Sequence, residues 1–262
     1  SRRAGTVLCV GLDPDPAALP PRFATHAGIG EWVRLVVEAA SEHAAAFKLN
    51  LAFFEALGAD GLHIAARVRA LVPSTIPLVV DAKRGDIGST AEQYAIEAFE
   101  RYGADAVTLS PFMGFDSVQP YLKYHGKGAF LLCRTSNPGG DDLQNQRLSS
   151  VDGSPLLYEH VAHLAQGPWN LNGQLGLVVW ATYPNEIERV RQIAPHVPLL
   201  IPGVGAQGGD AQATVKAGWR SDGDIIVNSS RAILYASDTS DFEQAARRVA
   251  EQTRATLEQA KT

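Results

Sequence analysis

The segment Val79-Val80-Asp81-Ala82-Lys83-Arg84-Gly85-Asp86 sets four charges into six residues directly after an apolar pair. Asp81 and Lys83 are two apart, so on a strand their side chains leave from the same face. Asp86 follows after a turn that Gly85 permits. Lys48 ends an earlier apolar run and, if the two runs are neighbouring strands, lies within reach of Asp81. The resulting set, Lys48, Asp81, Lys83 and Asp86, alternates in sign. An unpaired charge taken out of water costs several kcal/mol, so alternation is what makes such a cluster tolerable inside a protein. Groups perturbed in this way gather where protons move and charge is stabilised. The same charges would also serve as an ion-pair network closing a barrel mouth, or as a solvated strand end.

Two further stretches carry chemistry. In Ile201-Pro202-Gly203-Val204-Gly205-Ala206-Gln207-Gly208-Gly209, dense glycine lets backbone amides turn inward and approach an anion. Arg231, in Ser229-Ser230-Arg231-Ala232-Ile233, would add a charge-assisted fork for phosphate oxygens. A tight turn that merely needs glycine is the plainer alternative. In Cys133-Arg134-Thr135-Ser136-Asn137-Pro138-Gly139-Gly140, Ser136 and Asn137 offer donors and acceptors suited to a planar polar ring. A simple side-chain-closed turn explains that stretch equally well.

Positioning these groups falls to eight short apolar, β-branched runs, at residues 7–13, 45–50, 76–82, 106–110, 128–134, 175–182, 198–204 and 224–230. Most lack alternation, as expected of parallel strands buried on both faces. Segments with a 3.6-residue period lie between them, at 31–43, 53–72, 90–102, 155–165, 185–193 and 242–260. Eight strand–helix units predict an α/β fold, a closed (β/α)8 TIM barrel, forming one domain over residues 1–262. A doubly wound open sheet is the alternative that periodicity leaves open. In a barrel the C-terminal strand ends face the site, and here they carry Asp13, Lys48, Asn50, Asp81, Lys83, Ser110, Arg134, Ser136, Thr182, Gly203–Gln207, Ser230 and Arg231. The long irregular stretch at 135–154, after the fifth strand, is expected to be functional or mobile.

Composition narrows the field. Of 262 residues, 45% are hydrophobic and 19% charged, enough for a large core. A net charge of −5 argues against a nucleic-acid partner, whose binding rests on neutralised phosphates. Two cysteines, Cys9 and Cys133, make neither a disulfide framework nor a cysteine-rich zinc site, which points to the cytoplasm. No apolar run of membrane-spanning length and no signal-peptide pattern is present. The seven histidines fall mostly in helices or linkers, and the four tryptophans are scattered, so neither a metal site nor a base-stacking platform is expected.

Taken together, the Asp81-x-Lys83-x-x-Asp86 element, Lys48 before it, and Pro202-Gly203-Val204-Gly205-Ala206-Gln207 with Arg231 after it closely resemble the orotidine 5′-phosphate decarboxylase family. Phe47-Lys48-Leu49-Asn50, Asp81-Ala82-Lys83-Arg84-Gly85-Asp86-Ile87-Gly88-Ser89-Thr90 and Val227-Asn228-Ser229-Ser230-Arg231-Ala232-Ile233 resemble its longer bacterial subgroup. The resemblance runs in order from Gly11-Leu12-Asp13 to Tyr235. It implies conversion of orotidine 5′-monophosphate to uridine 5′-monophosphate and carbon dioxide, the last step of de novo UMP synthesis, with no metal and no organic cofactor. It further implies that Lys83 protonates C6 of the pyrimidine, that Asp81 sits beside the substrate carboxylate, and that Lys48 bridges Asp81 and the ribose hydroxyls. Asp13 would contact the ribose, Ser136 the pyrimidine, and Gln207 and Arg231 the phosphate. It implies a homodimer with mouths together, in which Asp86, Ile87 and Thr90 enter the partner's site. No role for Arg84 follows from it. A magnesium-dependent sugar-phosphate decarboxylase or aldolase of the same barrel superfamily is the alternative enzyme, but it expects an acidic residue where Lys48 stands. A non-catalytic phosphate-ligand binder would have little use for Lys83 and Asp81 held together.

Overall fold

The computed structural model describes residues 5–205, 208–239 and 241–261. Eight parallel strands close into a barrel in sequence order, with β1 paired to both β2 and β8. They are β1 (Leu8–Leu12), β2 (Ala46–Asn50), β3 (Leu78–Arg84), β4 (Ala106–Leu109), β5 (Gly128–Arg134), β6 (Leu175–Val179), β7 (Leu199–Pro202) and β8 (Ile225–Ser229). The (β/α)8 barrel expected from the apolar runs is therefore present, and the open sheet is excluded by the β1–β8 pairing. Each run contains its strand, although β3 extends two residues further than expected and β6 stops three residues sooner.

Side chains alternate between the inside of the barrel and the surrounding helices, as the two-residue period of a strand requires. The outward set, including Val10, Leu12, Phe47, Leu49, Val80 and Val107, joins the helices in one large apolar core. The inward set begins apolar: Val79, Ala106, Val178 and Leu200 pack together with Phe130, Leu132, Trp180 and Ile226. Two residues further along the same strands the inward positions turn polar, at Asp81, Thr108 and Asn228, all buried. The barrel interior is thus apolar at one end and charged at the other, and the chemistry-bearing residues lie on the inward files.

The helices differ from the periodicity in instructive places. Helix α1 (His26–Ala40) starts five residues before the expected segment, because Thr25 Oγ1 accepts from the Gly28 N–H at 3.1 Å and caps it there. The segment expected as one helix at 53–72 is two, α2 (Leu51–Glu55) and α3 (Gly58–Leu71), broken at Gly58, whose φ of +68° is left-handed. Helix α4 (Gly88–Ile96) runs on into a wider π-type turn at Glu97–Arg101. Three of the described helices have no counterpart among the expected segments, among them the one-turn helix at Arg231–Leu234. Helix α5 (Phe115–Leu122) carries Pro120 inside it, a residue that normally argues against a helix, and α8 (Ala211–Gly218) is short and small-residue-rich. The remaining helices are α6 (Leu157–Gln166), α7 (Pro184–Ile193), α9 (Arg231–Leu234) and α10 (Phe242–Gln259). Among the described residues, no helix is long and apolar enough to cross a membrane.

Candidate active site

Strands β2 and β3 pair so that Asn50 lies opposite Asp81, which brings Lys48, two residues earlier and inward-facing, up to the Asp81 carboxylate. Lys48 Nζ donates to Asp81 Oδ2 at 2.8 Å, and Lys83 Nζ donates to Asp81 Oδ1 at 2.6 Å. Thr108 Oγ1, inward from β4, donates to the same Oδ1 at 2.9 Å. Asp13, just past β1, places Oδ1 3.8 Å from Lys48 Nζ. The side chains of Lys48 and Asp81 are 4% and 11% exposed while that of Lys83 is 41% exposed, so Lys83 is the member open to a ligand.

Burial and charge oppose each other here, and charge prevails. Desolvation pushes the Asp81 carboxyl up, but the ammonium groups of Lys48 and Lys83 outweigh it and hold Asp81 well below the usual carboxylate range. Desolvation likewise favours loss of the Lys48 proton, and Asp13 and Asp81 together reverse that, raising Lys48 above an ordinary lysine. Asp81 and Lys48 therefore stay charged across the neutral range.

The backbone that carries the array is irregular. Along β3 and β4, Val80 pairs with Val107 and Arg84 with Leu109, so β3 spends three residues between these pairs where β4 spends one. Within this bulge Lys83 has φ +48°, a left-handed conformation that costs a non-glycine residue about 1–2 kcal/mol. Arg84 then points outward. Its guanidinium donates to Glu55 at 2.7 Å and to Glu97 at 3.1 Å and 3.3 Å, and lies 4.8 Å over the Tyr94 ring. Arg84 thereby ties the end of β3 to the surrounding helices, which answers what the sequence left without a role.

Asp13, Lys48, Asp81, Lys83 and Arg231 all line one cavity at the C-terminal mouth. Pro202, Gly203, with φ of +101°, and Val204 form one wall. Gln207 lies outside the described residues. Three other candidates stand apart from this cavity within one chain. The Asp86 carboxylate turns back to accept from the Ile87 N–H at 2.8 Å, Thr90 is exposed on α4, and Ser136 sits in the loop after β5. Of the four alternating charges, three meet in one chain. The ladder bulge explains the separation, because it carries the chain outward at Arg84 before Asp86 is reached.

Sequence reasoning passed over Asn228, Trp180 and Thr108. Asn228 and Trp180 line the cavity, and all three sit on inward files among apolar neighbours. A single polar residue within a buried strand, as in Ala106-Val107-Thr108-Leu109, was the available signal. Asp13 Oδ1 and Asn228 Oδ1 are buried with no hydrogen-bond partner among the described residues, a condition that proteins keep rare. Two such acceptors facing one cavity suit the hydroxyl groups of a polar ligand. Gly11 is required beside them, since a Cβ there would overlap Ser230 Oγ. Among the described residues, no three His, Cys, Asp or Glu side chains are grouped to hold a metal ion.

A charged array at the C-terminal ends of neighbouring barrel strands, opening onto a polar cavity, defines a (β/α)8-barrel enzyme, since this face holds the chemistry of such barrels. Residues 6–249 match the family described as Orotidine 5'-phosphate decarboxylase / HUMPS, and the chain belongs to that family. It is 67% identical to the orotidine 5'-phosphate decarboxylase of Polaromonas naphthalenivorans (strain CJ2), over 99% of this chain and 93% of the relative. Among solved structures it is similar to Leishmania donovani OMP decarboxylase, with TM-score 0.84, 43% identity, and coverage of 98% of this chain and 95% of that one. Leishmania donovani UMP synthase matches with TM-score 0.86 and 44% identity over 98% of this chain, which spans 55% of that longer protein. The family membership makes the chain a carboxy-lyase of the barrel class.

Proposed function

We propose that this chain converts orotidine 5′-monophosphate to uridine 5′-monophosphate and carbon dioxide, in pyrimidine biosynthesis in the cytoplasm, with residues 1–262 acting as one barrel domain. The observation that carries the reading is the buried Lys48–Asp81–Lys83 array with Lys83 as its exposed end. In this reaction the bond between C6 and the carboxylate breaks, the electron pair stays on C6, and carbon dioxide leaves. Lys83 Nζ–H then gives its proton to C6, and the neutral amine regains one from solvent. The ring offers no adjacent carbonyl or imine to spread that charge. A preorganised ammonium, already fixed by Asp81, supplies the stabilisation without reorganising during the reaction. Asp81 stands beside the departing carboxylate. Asp13 and Lys48 bind the ribose hydroxyls, Ser136 the pyrimidine, and Gln207 with Arg231 the phosphate. The chemistry is proposed to need neither metal nor organic cofactor.

A second copy of the chain completes the site in this reading. Asp86, Ile87 and Thr90 enter the partner's cavity, and the apolar side chains Ile87, Phe112 and Met113, exposed on the neighbouring loops after β3 and β4, supply the surface it covers.

The direct test is loss of orotidine monophosphate absorbance in the presence of a chelator. Turnover equal with and without chelator is expected. No turnover of this nucleotide would sink the proposal, and turnover abolished by chelator would favour the magnesium-dependent alternative. Arg231 gives a second expectation. Charge-assisted hydrogen bonds are worth about 1.5–3 kcal/mol each, so Arg231→Ala should lower kcat/KM for the nucleotide about 100-fold or more. The free nucleoside, lacking phosphate, should lose less than about threefold. Equal losses on both substrates would show that Arg231 does not grip the phosphate.

A further inference from the structure

We infer that Thr108 is the positioning residue of the array: its hydroxyl sets the Asp81 carboxylate and the Lys83 backbone in one register, and turnover depends on it. The inference rests on the reading of Lys83 as the proton donor. Thr108 is the one β4 residue opposite the β3 bulge, and it is 1% exposed. Its Oγ1 accepts from the Lys83 N–H at 3.0 Å and donates to Asp81 Oδ1 at 2.9 Å. A hydroxyl has a single hydrogen. The Lys83 amide can only donate and the ionised carboxylate can only accept, so the direction of the relay is fixed.

Without this contact neither end has a substitute. The regular ladder is interrupted at the bulge and resumes at the Arg84–Leu109 pair, where the Ser110 N–H donates to the Arg84 carbonyl at 2.8 Å. The Lys83 amide, in a left-handed conformation, would lose the bond that pins it. Asp81 Oδ1 would keep only the Lys83 ammonium as partner, so the carboxylate, anchored then by Lys48 at Oδ2 alone, could pivot and carry the Lys83 ammonium with it. The phosphate-binding part of the proposed site, Arg231 and the glycine-rich wall, lies on the loops after β7 and β8, and Thr108 is not among the residues that line the cavity. Loss of the hydroxyl should therefore fall on the chemical step and leave binding alone.

Thr108→Val removes the hydroxyl at nearly constant shape. A misplacement of about 1 Å in a reacting group can cost about 100-fold, so kcat should fall about 10- to 100-fold. KM for orotidine monophosphate should stay within about threefold of the parent. Thr108→Ser, which keeps the hydroxyl, should recover kcat to within about fivefold. A purely structural role would lower thermal stability or yield without separating kcat from KM and without this dependence on the hydroxyl. If the valine variant does not fold, Thr108→Ala carries the same expectation. A valine or alanine variant with parental kcat, or a serine variant as slow as either, overturns the inference. Lys83→Ala measured alongside separates the two ideas: if it keeps its activity, the reading of Lys83 as proton donor fails instead.

Discussion

Replacing Lys83 with alanine is expected to lower turnover of orotidine monophosphate by at least about four orders of magnitude while leaving the protein folded. One group does two jobs in the proposed reaction. A positioned general acid contributes about 10²–10⁴-fold, and removal of one preorganised charge-stabilising donor costs about 10²–10³-fold. Both are lost together. The fold survives because the contacts left behind are complete. Asp81 keeps Lys48 on one oxygen and Thr108 on the other, and the backbone N–H of residue 83 keeps its bond to Thr108. Alanine at φ +48° is no more strained than lysine, since the penalty comes from the Cβ that both share. The check is single-variant kinetics with a melting curve: Tm within a few degrees of the parent, and product formation near the detection limit. Residual activity within tenfold of the parent would remove Lys83 from the chemistry.

The second large effect concerns the shared site. Asp86→Ala is expected to lower activity about 10³-fold, because truncating one member of a close charge pair across an interface costs about 2–5 kcal/mol. Mixing it with Lys83→Ala, itself inactive, should restore activity. In a mixed dimer, the subunit that keeps Lys83 receives Asp86 from its partner, so one of two sites is whole. Random pairing makes half of all dimers mixed, and the regained rate should approach about a quarter of the parent's at equal total protein. The proposal is motivated by where Asp86 stands: it caps its own loop at Ile87, away from the array of its own chain, beside exposed apolar side chains. Unfolding and refolding the mixture ensures exchange. No regained activity after verified exchange would place Asp86 outside any shared site.

The contrast between Asp81 and Lys83 on one side and Thr108 on the other shows what a sequence makes legible. The pairing of Lys48 with Asp81 could be read from local facts: each ends an apolar run, the runs are consecutive, and parallel strands in a barrel neighbour one another in order. The eight runs themselves were visible because strands buried on both faces are apolar throughout. Gly58 and Pro120 were harder. A glycine within a helical period and a proline within a short helix are each compatible with two outcomes, and packing decided between them. The bulge opposite Thr108 was not legible at all, since it arises from the register between two strands and leaves no mark in either one. Arg84 escaped for the same reason. Adjacent to Lys83 in sequence, it faces the opposite way, toward Glu55 and Glu97 on separate elements.

That bulge has a meaning for anyone wishing to transplant this site. Two residues along a regular strand are about 6.6–6.8 Å apart, so an aspartate and a lysine grafted at i and i+2 of an ordinary barrel strand would stand on successive storeys, their heads reaching sideways to different neighbours. Here β3 crowds both onto a single storey opposite one β4 residue, and the ammonium closes on the carboxylate at 2.6 Å. A scaffold copying Lys48, Asp81 and Lys83 alone would carry the letters without the spacing. The transferable unit is the pair of strands, slack included.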